Sequence, residues 1–146
     1  MVQETEVRSP LEEAMARVGD RWMLLIVDAL LAGPRRFNDL QEEVAGIAPN
    51  ILSDRLRRLE RDAIVVSRPY SRRPLRVSYD LTASGRDLAG ALRLLAHWGS
   101  GHGSDSVEPP RHSVCGTPME ARWYCPTCAR AVDETSPDEG AELRYV

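Results

Sequence analysis

The chain has 146 residues, enough for one domain with a small appendage and for a core that needs no disulfide. A net charge of -3 and a pI near 5.6 would by themselves count against a nucleic-acid partner, but the charge is segregated. Residues 35–76 hold ten arginines against six acids, whereas residues 1–34 hold three against six and residues 77–146 six against ten. All 19 basic residues are arginine, so every cationic contact comes from a planar fork suited to phosphate or guanine. The opening MVQETEVRSPLEEA lacks the basic start and apolar run of a signal peptide. The stretch WMLLIVDALLA is shorter than the roughly 20 residues a bilayer span requires, and Asp28 interrupts it, so a cytoplasmic protein with no membrane partner is expected. Three cysteines, all in the tail, do not form a secreted disulfide framework.

In chain order, the pattern predicts helices over residues 10–18 and 20–32, divided by Gly19. Ser9-Pro10 opens the first, with Glu12 and Glu13 in its first turn; Asp20 caps the second. The second is apolar nearly all round, as a buried central helix would be. Gly33-Pro34 breaks the pattern and leads into a short extended piece. NDLQEEVA then makes a two-turn helix with Asn38 as its cap, and Gly46 ends it. Pro49 begins APNILSDRLRRLERD, residues 48–62, as a first helical residue. AIVVSRPY and LRVSYDLT are β-branched and aromatic, and SRRP between them is a turn; together they form a hairpin, with Leu75, Val77, Tyr79 and Leu81 on one face. Residues 83–98 return to helix, with Leu88, Ala91, Leu92, Leu95 and Trp98 on one side. Residues 100–110 are a Gly/Ser/Pro linker.

The fold expected from this order is mainly α with a small β-hairpin wing, a winged helix-turn-helix domain over residues 8–99. At about 100° per residue, Leu52, Leu56 and Leu59 face the core. Asn50, Asp54, Arg57 and Arg61 point the other way, with Ser53, Arg55 and Arg58 on the flanks. Most polar helix faces are simply solvated, but a two-turn helix, a glycine turn and then this helix is the arrangement that places a second helix in the major groove. Asn50 and Ser53, near its N-terminus, are sized for base edges; Arg57, Arg58 and Arg61 are placed for phosphates. Asp54 either accepts from a cytosine or pairs with Arg57 or Arg58. Arg72 and Arg73 at the hairpin tip, with Arg76 behind, are placed for the minor groove or backbone, and Arg35 and Arg36 for phosphate.

VGDRWMLLIVDALLAGPRRFNDLQEEVAGIAPNILSDRLRRLERDAIVVSRPY, then YDLTASGRDL and HWG, resemble the HxlR-type transcriptional regulators, winged-helix relatives of the MarR group. The likeness runs from about residue 10 to residue 99 and is carried by GDRW, GPRRFNDL, LSDRLRRLE and YDLT. It implies a homodimer built from residues 10–18 and 83–98, binding a two-fold operator on double-stranded DNA. Many members carry a cysteine just before the first helix, in some a thiol sensor. Ser9-Pro10 stands there in this chain, which puts sensing by that route in doubt.

In the tail, His112-x2-Cys115 and Cys125-x2-Cys128 supply four donors for a tetrahedral, structural Zn2+. His102, an acid or water is the alternative to His112; three unrelated thiols or a redox-active CxxC are the alternatives to metal. Tails of this form occur on some HxlR-type proteins and look like a zinc ribbon, here expected over residues 111–146. Within it, residues 133–142 read as a solvated acidic segment and LRYV as a final strand. The expected function is a sequence-specific DNA-binding regulator, with a small-molecule effector open. The rivals are a metal- or redox-responsive sensor using the tail and a winged-helix protein–protein adaptor. No paired carboxylates and no nucleophile–base arrangement point to an enzyme.

Overall fold

The computed structural model describes residues 8–102, 108 and 110–132. The expected acidic segment and final strand at residues 133–146 lie outside the described residues. The chain divides into two compact units, residues 1–93 and 94–146.

The first unit is organised around its second helix. α1 (Pro10–Val18) begins with a reciprocal cap: the Glu12 N–H donates to Ser9 Oγ (3.2 Å) and the Ser9 N–H to Glu12 Oε2 (2.7 Å). α2 (Arg21–Leu31) is capped by Asp20, whose Oδ1 accepts from the Trp22 N–H at 2.9 Å. Met23, Ile26, Val27 and Leu30 of α2 are buried, with Trp22, Leu24, Ala29 and Leu31 packed beside them. Leu25 is exposed, so the helix is central but not enclosed all round.

β1 (Arg35–Arg36) leads directly into α3 (Phe37–Glu43). The cap expected at Asn38 lies two residues earlier: Arg36 is the N-cap, and the carboxylate of Asp39 accepts its N–H at 3.0 Å. A carboxylate in the third helical position satisfies an orphan donor as well as a capping side chain does. Gly46, at φ +82°, makes the turn into α4 (Pro49–Arg61), a conformation glycine adopts without steric cost. Leu52, Leu56 and Leu59 are almost wholly buried, as the spacing requires. The Ala63 N–H donates to the Glu60 carbonyl and the Ile64 N–H to the Leu59 carbonyl, closing α4 with Ala63 at φ +54°.

β2 (Val65–Arg72) and β3 (Leu75–Leu81) form the hairpin, and the sheet order is β1-β3-β2, all antiparallel. β2 runs two residues further than expected, so the turn is Arg73-Pro74. Tyr70 falls at a register shift between Pro69 and Ser71. Along β3 the expected face is graded: Leu81 is buried, Val77 and Tyr79 are half-buried, and Leu75 at the tip is open. The hairpin is thus anchored at its base and free at its end.

The single helix expected over 83–98 is two, α5 (Ala83–Asp87) and α6 (Ala89–Ser100). A Cβ on Gly85 would sit 2.2 Å from the Ile64 carbonyl oxygen, so α5 is pressed against the start of β2. Thr82 fixes that approach: its hydroxyl donates to the Ala63 and Ile64 carbonyls and accepts the Gly85 N–H. The chain bends at Leu88, half-buried on the core, before α6 proceeds. The two units part within α6, between residues 93 and 94.

In the second unit, β4 (Trp123–Cys125) pairs antiparallel with β5 (Arg130–Val132). Among the described residues no helix is long and apolar enough to cross a membrane.

Candidate nucleic-acid interface

Helix α3, the Gly46 turn and helix α4 form a helix-turn-helix, with α4 as its second helix and β2–β3 as a wing. On α4, Asn50, Asp54, Arg57 and Arg61 are exposed and Ser53 is half-buried. Asp54 is paired within its own helix: Arg57 Nη1 donates to its Oδ1 at 3.4 Å. Both side chains are more than half exposed, so the pair is weak and readily exchanged for another partner.

The arginines fall into two groups. Some have their guanidinium used within the fold. Arg35 donates to Glu43 Oε1 at 2.7 Å and to the Gly33 and Pro34 carbonyls. Arg58 donates to the Ala16 carbonyl at the end of α1. Arg55 donates from Nη2 to Asp20 Oδ2 at 3.0 Å, joining α4 to the cap of α2 across 35 positions. Arg36 lies over the ring of Tyr70, 4.6 Å from its centroid, and so leans on the wing. Arg57 and Arg68 each face an acid, Asp54 and Asp80; Arg61, Arg72, Arg73 and Arg76 are exposed, and none of these four is held by an ion pair among the described residues. They lie at the end of α4 and around the wing tip.

Two structural pairs are invisible in local spacing. The first is Asp20–Arg55, which lowers the Asp20 pKa mainly through the arginine's hydrogen bond. The second is Asp80, 8% exposed near the wing base, which accepts from Arg86 at 2.8 Å and faces Arg68 at 3.9 Å. Neither follows from helix or strand periodicity, although GDRW, LSDRLRRLE and YDLT, which carry the resemblance, contain Asp20, Arg55 and Asp80.

These features match a known family over most of their extent: the model of the HxlR-like helix-turn-helix matches residues 17–107. The chain belongs to that family. This HxlR-type protein is 36% identical over 132 residues to the HTH-type transcriptional regulator Rv3095 of Mycobacterium tuberculosis, covering 87% of this chain and 83% of that one. The crystal structure of the HTH-type regulator ytcD superposes with a TM-score of 0.61 at 32% identity, over 65% of this chain and 97% of that one. PA1607, described as a putative transcription factor, is similar over 97% of this chain and 96% of its own at a TM-score of 0.76 and 24% identity. That last likeness is one of fold alone. The HxlR-type protein is a DNA-binding transcriptional regulator.

Ser9, just before α1, caps that helix, its Oγ accepting the Glu12 N–H.

The tail donors fall into two turns. His112 Nδ1 lies 3.2 Å from Cys115 Sγ, which is also 3.2 Å from Thr117 Oγ1. The Thr117 hydroxyl, its amide and then the imidazole stabilise the Cys115 thiolate and lower its pKa to about 7. The amide and thiol of Cys128, then the Thr127 amide, lower that of Cys125. The four expected ligands are not drawn into one group: no three potential metal-binding side chains converge among the described residues. His102, the alternative ligand, stacks on Trp98 at 4.5 Å and bonds its carbonyl through Nδ1.

Proposed function

We propose that the protein acts as a homodimer that reads a two-fold operator with α4 and the wing of each copy, in the cytoplasm. The observation that carries this reading is the sorting of arginines. Those at the end of α4 and around the wing tip are uncommitted, while those nearer the core brace the fold. A solvated face would need no such division. Asn50 and Ser53, on the first turns of α4, meet base edges; Arg61, Arg72, Arg73 and Arg76 meet phosphate or the minor groove. Arg57 exchanges Asp54 for phosphate, which frees Asp54 to accept from a cytosine.

Dimerisation through α1 and α6 is supported by the apolar side chains each leaves open. Leu11 and Met15, one turn apart on α1, are 71% and 53% exposed; Leu95 and Trp98 on α6 are 53% and 64% exposed. A second copy covers them. An effector or partner that alters the spacing of the two α4 helices would act through the Asp20–Arg55 and Arg58–Ala16 contacts, because these tie α4 to α2 and α1. Operator binding then blocks or recruits polymerase.

The test is selection of preferred duplexes from a random pool. Asn50→Ala shifts the preferred sequence, while Arg73→Ala lowers affinity for all sequences alike. Unchanged preference in both Asn50→Ala and Ser53→Ala would remove α4 as the reading element. Combined Met15→Glu and Leu95→Glu substitutions give a monomer by sedimentation that binds half-sites only.

A further inference from the structure

The tail, residues 111–132, has the backbone of a ribbon without the means to hold it. Its two strands have three residues each, and an isolated hairpin of that size is not stable in water. Among its described residues none is buried: Val114 is 85% exposed, Tyr124 62%, Trp123 48% and Met119 42%. A segment with no apolar core needs a cross-link to be ordered.

The same segment contains two turns of like construction. In each, two donors stand three positions apart, His112 with Cys115 and Cys125 with Cys128. In each, the residue directly after the second donor is left-handed, Gly116 at φ +70° and Ala129 at φ +52°. The first turn is closed by the Gly116 N–H donating to the His112 carbonyl at 2.8 Å and by the Arg111–Pro118 bridge. The second is closed by β4 against β5, which pairs Cys125 with Arg130.

Donor spacing supports the same conclusion. A tetrahedral ion with bonds of about 2.1 Å to nitrogen and 2.3 Å to sulfur holds the two atoms roughly 3.6 Å apart. His112 Nδ1 and Cys115 Sγ stand at 3.2 Å, so an ion enters this pair by opening it a few tenths of an ångström.

We propose that His112, Cys115, Cys125 and Cys128 of one chain close around a single Zn2+, and that this ion is what folds residues 111–132. Three sulfurs and one imidazole form a soft set that selects zinc over magnesium or calcium. Four protein donors leave no open position, so the site is structural. On binding, each thiol that forms a Zn–S bond gives its proton to solvent, while the imidazole binds neutral. Since the two pairs do not converge among the described residues, the ion's contribution is to draw them together. The inference is independent of how α4 reads DNA.

The experiment uses the full chain, reduced and freed of metal, titrated with Co2+ as a spectroscopic probe and then with Zn2+. One Co2+ per chain, with the intense visible bands of a tetrahedral thiolate site that Zn2+ abolishes, is the expected result. Cys115→Ser and Cys128→Ser each remove binding in competition with a chelating dye. His112→Ala weakens it and changes the visible spectrum, and His102→Ala leaves it unchanged. Amide NMR signals of residues 111–132 disperse with Zn2+ and collapse with chelator, while the helical circular dichroism is retained in every variant.

The proposal is overturned by one ion per two chains, which would place a shared Cys125/Cys128 site between copies. It is equally overturned by binding that ignores Cys115→Ser, by dispersed ribbon amides in metal-free protein, or by a Cys125–Cys128 disulfide in the freshly purified chain.

Discussion

Removing Asp20 separates two roles that one carboxylate performs. One oxygen caps α2 at 2.9 Å from the Trp22 nitrogen; the other receives Arg55 at 3.0 Å. Losing the cap costs about 1 kcal/mol. Losing the ion pair costs about 1 kcal/mol more, the ordinary value for a charged hydrogen bond reduced because each side chain is 28% exposed. Asp20→Ala should therefore destabilise by about 2 kcal/mol and Asp20→Asn, which keeps a capping oxygen, by about 1 kcal/mol. Arg55→Met should cost less than Asp20→Ala, because Arg55 Nε is buried with no acceptor among the described residues and that orphan donor leaves with it.

The assay is urea unfolding of the two single variants Asp20→Asn and Arg55→Met and of their combination. The double variant should be less destabilised than the sum of the singles by about 1 kcal/mol. Acid provides an internal control. The Asp20 pKa is lowered in the folded protein, so its contribution is complete above the unfolded-state value near 3.8 and vanishes as pH falls through the lower folded value. The gap between wild type and Asp20→Asn should close over that interval. Strict additivity at neutral pH, or equal losses for Asn and Ala, would refute the idea that Asp20 ties α2 to α4.

The sorting of arginines predicts a salt dependence. Arg61→Gln, Arg72→Gln, Arg73→Gln and Arg76→Gln should each lower the slope of log affinity against log salt by about two units, one for each copy of the dimer, with Arg35→Gln and Arg55→Gln leaving it unchanged, as read by fluorescence anisotropy on operator duplex. Ala63→Gly should stabilise the first unit by about 1 kcal/mol in urea, because the position is left-handed at φ +54°. Gly85→Ala should destabilise it by about 3 kcal/mol, since the added methyl meets the Ile64 carbonyl oxygen at 2.2 Å, and thermal denaturation reads the loss.

Local spacing was enough wherever the determinant was local. The leucines at 52, 56 and 59 can share one side of a helix and no other regular structure, and they are buried. Pro49 and Gly46 mark the start of α4 and the turn before it because each restricts or permits a backbone conformation by its own covalent geometry. The wing is legible from β-branched and aromatic residues on both sides of SRRP and from alternation in the second strand.

Tertiary structure decided what depends on distant neighbours. Residues 83–98 carry a good helical pattern, yet the chain breaks at Leu88, because α5 is pressed against Ile64 and α6 is not. Most of all, sequence identified a basic middle third but could not say which arginines were available. Arg55 and Arg58 stand beside Arg57 on one helix, and only the placement of Asp20 and Ala16, 35 and 42 positions away, separates the two that bond across the fold from Arg57, whose partner Asp54 is on its own helix. A side chain's chemistry is written in its residue type, but whether its charge is already answered is a property of the packed fold.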